Sequence, residues 1–344
     1  MAIHSTNIFL SWSRRIALGL FVTLLALLGL GAGYEFMAST YARYAYPPPG
    51  RMIEIDDYRL HLDCRDRGAP TIILEAGGSQ GSISWGLVQG PLSKHTRVCS
   101  YDRAAMGWSD PAPHPQFARD VVHDLHTLLD KADVHGPLIL VGHSIGGIYV
   151  RAYTAQYPQR VQALLLIDSV HEDGLSNLWK SQPKLARKMQ DNQQGVERII
   201  PLIDWLTPLG IPRLFYRDGV DVYPDRLRGG YAATYFRPQR LKASLAEITQ
   251  LNAKLAQVKS KLSSLGARPL IVMTAGRYLK VPGLTEDESR LVYDNHWQMQ
   301  AKLLALSSHS QQIVVRHSGH NIHLEQPRVV IKAIRTLIDN KVHP

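Results

Sequence analysis

The chain predicts an α/β fold built on a parallel, doubly wound sheet, and three observations carry that prediction. Short apolar runs alternate with helical patterns along most of the sequence. The later runs are continuous Val/Ile/Leu stretches, as in strands covered on both faces. One long stretch, residues 171–266, holds no strand-like run and reads as a helical insertion between two strands.

Strands are expected at residues 51–55, 58–64, 71–74, 96–101, 138–141, 163–167, 270–274 and 312–316, with the first two forming a hairpin. Helical patterns separate them, for example at 117–132, 147–157 and 326–340. The insertion is interrupted by prolines and rich in Trp, Leu and Arg, and is best read as a helical cap over the carboxyl edge of the sheet. The expected division is an anchor and linker at 1–45, a core at 46–170 and 267–344, and the cap at 171–266. A length of 344 residues suits one large domain with such an insertion.

Hydrophobic residues at 45% and charged residues at 20% belong to a folded globular chain. The net charge of +10 raises nucleic acid as a partner, but Lys and Arg are scattered, with no basic helix face or finger motif. Nucleic-acid binding is therefore set aside. A membrane is the better partner, because residues 16–33 form an apolar run directly after Arg14 and Arg15. The run is near the lower length limit for a spanning helix. The arginine pair keeps the N-terminus cytoplasmic and sends the remainder across, although Arg43 and Arg51 weaken that asymmetry. A retained signal anchor is preferred to a signal peptide cleaved near Ala38, since no A-x-A site follows the run. The chain is thus expected to be membrane-anchored with an extracytoplasmic catalytic domain, with secretion after cleavage as the alternative. Pro47-Pro48-Pro49-Gly50 then makes a stiff extended spacer. Export leaves two readings of Cys64 and Cys99, a disulfide or two buried thiols.

The chemistry-bearing motif is Val141-Gly142-His143-Ser144-Ile145-Gly146-Gly147, a G-x-S-x-G between a buried-strand pattern and a helical one. In that setting it is a nucleophile elbow. The strand-to-helix turn is so tight that Gly142 and Gly146 must lack side chains, and it lifts the Ser144 hydroxyl clear with the Ile145 amide beneath it. A serine hydroxyl needs a base. Among the 15 histidines, His320 is best placed, in the loop between the last strand and the last helix. His317, His320 and His323 form an H-x-x-H-x-x-H series, but no helix or acidic cluster supports a metal there. His123 and His126 read as surface or packing residues. The second oxyanion donor is expected from the Gly/Ser-rich loop 75–85, with Gly78 chosen for its amide. The triad acid is Asp168, closing the apolar strand LLLID, in preference to Asp287.

On these motifs the chain, from about Pro47 to its end, resembles the α/β-hydrolase superfamily. The matching pieces stand in the family's order: the Gly-rich loop ending in Trp85, Y-D-R-x-x-x-G-W-S from Tyr101 to Ser109, the elbow at Ser144, and G-H-x-x-H-x-E-Q-P from Gly319 to Pro327. The resemblance implies an eight-stranded, mostly parallel sheet in which the second and fourth strands are neighbours. Those strands carry Cys64 and Cys99, so it also implies a disulfide. Two departures stand out. Ala76-Gly77 replaces the His-Gly of many relatives, and the usual acid position after the seventh strand is empty; Asp168 matches the family's alternative after the sixth.

The expected activity is hydrolysis of a carboxylic ester or related acyl substrate, apolar in character, through Ser144, His320 and Asp168. No cofactor and no metal is implied. An acyltransferase or a non-catalytic binding module on the same fold are the alternatives. Haloalkane dehalogenase and epoxide hydrolase are disfavoured, because their resemblance requires Asp where Ser144 stands.

Overall fold

The computed structural model describes residues 2–215, 220, 222–259 and 264–339. The expected end of the last helix at Asn340, and residues 216–219, 221 and 260–263 of the expected cap, lie outside the described residues.

Eight strands form one sheet: β1 Arg51–Ile55, β2 Tyr58–Arg65, β3 Thr71–Glu75, β4 Val98–Tyr101, β5 Leu138–His143, β6 Val161–Ile167, β7 Leu270–Ala275 and β8 Ser310–Val315. Their order is β1-β2-β4-β3-β5-β6-β7-β8. The β1–β2 hairpin and the β2–β4 pair are antiparallel, and every other pair is parallel. Side chains alternate between two cores. Ile73, Leu140, Leu166 and Val272 pack with Val122 and Leu125 of helix Ala118–Lys131 on one face. Ile72, Val141, Leu165 and Ile271 pack with Val330, Ile334 and Leu337 of helix Pro327–Ile338 on the other. Burial on both faces is the reason these strands read as unbroken apolar runs; each such side chain contributes about 1.5–3 kcal/mol.

The strand order reverses around β3. The chain leaves β3 for β4 on one side, then crosses back to β5 on the other. A crevice therefore opens beyond the carboxyl ends of β3 and β5, where Glu75 lies in register with Gly142. This is the topological reason that the Gly-rich loop and the G-x-S-x-G turn meet.

Between β6 and β7 the described residues are helical, including Gly174–Ser181, Pro183–Leu206, Ile211–Phe215, Asp225–Tyr235, Pro238–Thr249 and Leu251–Lys259. The N-terminal helix is longer than the apolar run that marks it in the sequence, extending over Ala2–Ala45 to the edge of the proline spacer. Its continuation past the run is held by packing. The buried Glu35 carboxylate takes a bidentate pair from Arg213 of the insertion, Nε to Oε2 at 2.9 Å and Nη2 to Oε1 at 2.8 Å.

Cys64 and Cys99 face each other across the β2–β4 ladder and are joined in a disulfide. The closed loop spans 35 residues of sequence separation. Replacing both cysteines by Ala is expected to lower the unfolding free energy by about 2–4 kcal/mol, read as an earlier denaturant midpoint of the full chain in detergent. An unchanged midpoint would show that the ladder alone holds these strands.

Candidate functional site

Ser144 sits between β5 and helix Gly146–Gln156, with φ of 54°, a left-handed conformation that strains any side-chain-bearing residue. The surroundings enforce it. Ser144 N–H donates to the Ile167 carbonyl at 3.0 Å, and its own carbonyl accepts from Gly147 and Val170, each at 3.1 Å. A Cβ on Gly142 would lie 2.7 Å from the Gly146 carbonyl oxygen, and one on Gly146 would lie 2.7 Å from that of Ala76. Gly147 is a third obligatory glycine that the motif did not single out, since a Cβ there would overlap the Ser169 hydroxyl. The Ile145 amide leads into the helix, where first-turn N–H groups have no intrahelical acceptor.

Asp168 directly follows β6, also at positive φ, 42°. Its carboxylate accepts three donors. His320 Nδ1 lies 2.7 Å from Oδ2, while His296 Nε2 at 2.9 Å and the Ala275 amide at 3.0 Å share Oδ1. Burial pushes the Asp168 pKa up, but the hydrogen bonds and charges of His296 and His320 outweigh it and hold the carboxyl well below the usual range. Asp287, the alternative acid, is exposed in the first turn of helix Glu286–Leu304, a position that serves the helix dipole.

His320 is half-exposed in the loop after β8, and among the described residues no hydrogen bond joins its free nitrogen to Ser144 Oγ. Such pairs are commonly loose in unliganded sites. Its backbone is tied to the residue preceding Ser144, because the buried His143 donates from Nε2 to the His320 carbonyl at 2.9 Å. Burial first, then the neighbouring His323 and His320, push the His143 pKa well down, so its ring is neutral. The H-x-x-H-x-x-H series disperses: His317 is exposed, His320 meets Asp168, and His323 is buried against Trp85 with ring centroids 4.6 Å apart.

The loop after β3 is clamped from both sides. Below it, the buried Arg103 guanidinium donates to Glu75 Oε1 at 2.5 Å and to the Ala76 and Gly77 carbonyls, each at 2.8 Å. Arg103 also pairs with Glu247 of helix Pro238–Thr249 at 2.9 Å. Burial alone would lower the Arg103 pKa, but Glu247 and Glu75 more than offset it and keep the guanidinium charged. Above the loop, Glu247 accepts from the Ser79 amide at 2.8 Å, and Arg240 donates to the Ser79 carbonyl at 2.7 Å. Gly78 lies between, where an added Cβ would be 3.7 Å from both Ile145 Cγ2 and Glu247 Oε2. The loop carrying Gly78 and the turn carrying Ile145 therefore border one small space beside Ser144.

The structure thus gathers Ser144, Ile145, Gly78, His320 and Asp168 at one sheet edge and leaves Asp287 outside. Sequence reasoning missed His296, Glu247 and Arg240, which sit in helical stretches with no motif around them. Arg103 was visible inside the Tyr101–Ser109 stretch, but its task as the clamp on the loop was not.

The family model described as "Alpha/beta hydrolase family" matches residues 72–333. An uncharacterized Schizosaccharomyces pombe protein is 30% identical over 203 residues, 58% of this chain and 35% of that protein, so the chain spans about a third of its length. The uncharacterized Bacillus subtilis protein YqjL is 23% identical over 282 residues, 81% of this chain and 88% of the relative. Among solved structures, a thermophilic esterase from Thermogutta terrifontis superposes with a TM-score of 0.55 at 18% identity, covering 86% of this chain and 100% of the esterase. That last likeness concerns the fold alone. With most of the sheet, the elbow and the His320 loop inside the matched span, this chain belongs to the alpha/beta hydrolase family.

Proposed function

We propose that the protein is a serine hydrolase that cleaves a carboxylic ester through an acyl-enzyme. The observation that carries the reading is the 2.7 Å bond from His320 Nδ1 to a buried, ionised Asp168, with His320 tied at its backbone to the strained turn that presents Ser144. In this mechanism Ser144 Oγ attacks the ester carbonyl while its proton passes to His320 Nε2. Asp168 fixes the tautomer with Nδ1 protonated and stabilises the imidazolium. The Gly78 and Ile145 amides receive the oxyanion, in a space whose donors are held before substrate arrives. The imidazolium then gives its proton to the departing alcohol, and water repeats the sequence on the acyl-enzyme. No cofactor enters any of these steps.

The organisation proposed with this activity is an anchor and linker at 1–45, a core at 46–170 and 267–344, and a cap at 171–266. The grip of Glu247 and Arg240 on Ser79 supports the cap as part of the site. The N-terminal helix supports membrane anchoring, since Arg14–Ala45 is long and apolar enough to cross a bilayer with its apolar window unburied. Arg14 and Arg15 favour a cytoplasmic N-terminus and an extracytoplasmic site.

His296 is proposed as a positioning residue. Its bond to Oδ1, with that of Ala275, leaves Oδ2 directed at His320.

A fluorophosphonate probe is expected to label the folded full chain, and Ser144→Ala to abolish labelling. Undiminished labelling of the variant would place the reactive serine elsewhere. Asp168→Asn is expected to lower kcat/KM by about 10³–10⁴. Asp287→Asn, an exposed change, is expected to leave it within about twofold; the reverse pattern would overturn the acid assignment. Because its pKa in the fold is depressed, Asp168 stays ionised at neutral pH, and the stability it contributes is lost progressively as pH falls from the ordinary carboxylate range through that low value.

A further inference from the structure

The N-terminal helix and the helical insertion meet at a height that bears on where substrate comes from. Gly31 lies inside the apolar run, and a Cβ there would stand 2.8 Å from the Leu209 carbonyl oxygen. One turn on, a Cβ at Gly210 would stand 2.8 Å from the Tyr34 ring. The buried Glu35–Arg213 pair locks this contact. The segment around Leu209 is therefore level with the outer end of the apolar run, where a spanning helix leaves the hydrocarbon.

On both sides of that contact the insertion exposes large apolar side chains. Leu202 is 57% exposed, Trp205 81% and Leu214 56%. Leu202 and Trp205 share helix Pro183–Leu206 with exposed Val196 and Ile199, an apolar stripe that winds around that helix, and Leu214 lies on helix Ile211–Phe215. Exposed Phe36 and partly exposed Tyr34 flank it on the N-terminal helix. Tryptophan and tyrosine at this level are the side chains that favour the boundary between lipid and water. Scattered exposed apolar residues need no explanation, but a contiguous set beside an apolar helix end does.

Behind the stripe lies a cavity of about 400 Å³. Val196 and Ile199 belong both to the stripe and to its wall, which Ile203, Phe236 and Leu241 also line. Ser79, the residue after Gly78, also lines it. The cavity thus has residues of the exposed stripe and the residue next to Gly78 in one lining.

We propose that the insertion rests in the outer interface of the bilayer crossed by the N-terminal helix, and that the cavity takes up a lipophilic ester directly from that bilayer, its hydrocarbon part lodged among Val196, Ile199 and Leu241. The docking half rests on the reading of the helix as an anchor. The substrate half rests also on the reading of Ser144 as nucleophile and deepens it by naming the substrate class.

The test uses the full chain in phosphatidylcholine nanodiscs. Tryptophan quenching by lipids brominated near the headgroup is compared between wild type and Trp205→Phe. Turnover of a short, water-soluble ester and of a long-chain ester dissolved in the disc is compared between wild type and the double variant Leu202→Glu, Trp205→Glu. Wild type is expected to show a quenched component that Trp205→Phe lacks. The double variant is expected to keep its rate on the short ester and to lose about tenfold or more on the membrane ester, the scale set by withdrawing two apolar side chains from lipid. No Trp205-dependent quenching, or equal effects on the two esters, overturns the proposal. Two chains per disc with Trp205 shielded from bromine overturns it in favour of a second copy covering the stripe. A wild type that cleaves neither ester refutes the hydrolase reading and with it the substrate half, while the quenching difference still decides the docking half.

Discussion

A guanidinium buried to 5% exposure, that of Arg103, sets the terms for the rest of the site. Taken out of water, it is tolerated only with its charge and its donors satisfied together. Glu75 at the end of β3 supplies one carboxylate and Glu247 of the insertion the other. The remaining donors go to the Ala76 and Gly77 carbonyls. One residue therefore fixes the path of the loop after β3 and requires the insertion to sit over it. Tyr101, at the end of β4, hydrogen-bonds Glu75 from the other side, so the network is anchored in the sheet. Gly78 receives its position from this arrangement rather than from contacts of its own.

The elbow obeys a second constraint, one of space. Gly142, Gly146 and Gly147 pack against backbone or against Ser169 so closely that no side chain fits. Between them Ser144 carries its side chain at positive φ. Asp168, at the end of the neighbouring strand, is also left-handed, and its carboxylate is directed by three donors. Two strained residues at adjacent strand ends, each over-determined by neighbours, are the kind of local cost that a fold sustains where geometry matters.

The parts of this arrangement that were legible in the sequence are those governed by local pattern. Unbroken apolar runs marked β5, β6 and β7 because burial on both faces leaves no polar alternation to break them. The Gly-x-Ser-x-Gly spacing marked the turn because steric exclusion acts on immediate neighbours. Asp168 was legible as a carboxylate closing an apolar strand. His296 and Glu247 were not, because their partners lie 128 and 144 residues away and their own helices carry no signal for them. The N-terminal helix was read only over its apolar run. Its extension to Ala45 depends on Glu35 meeting Arg213, a pairing across 178 residues that hydropathy does not register.

In the proposed mechanism Ser144 forms a covalent acyl intermediate with His320 and Asp168 behind it. The most direct measurement is rapid-quench reaction of the full chain with a p-nitrophenyl ester, followed by intact and peptide mass spectrometry. A burst of one nitrophenolate per chain is expected, with the acyl mass on the peptide containing Ser144. Turnover without any acylated chain, or acyl found on another residue, would contradict it.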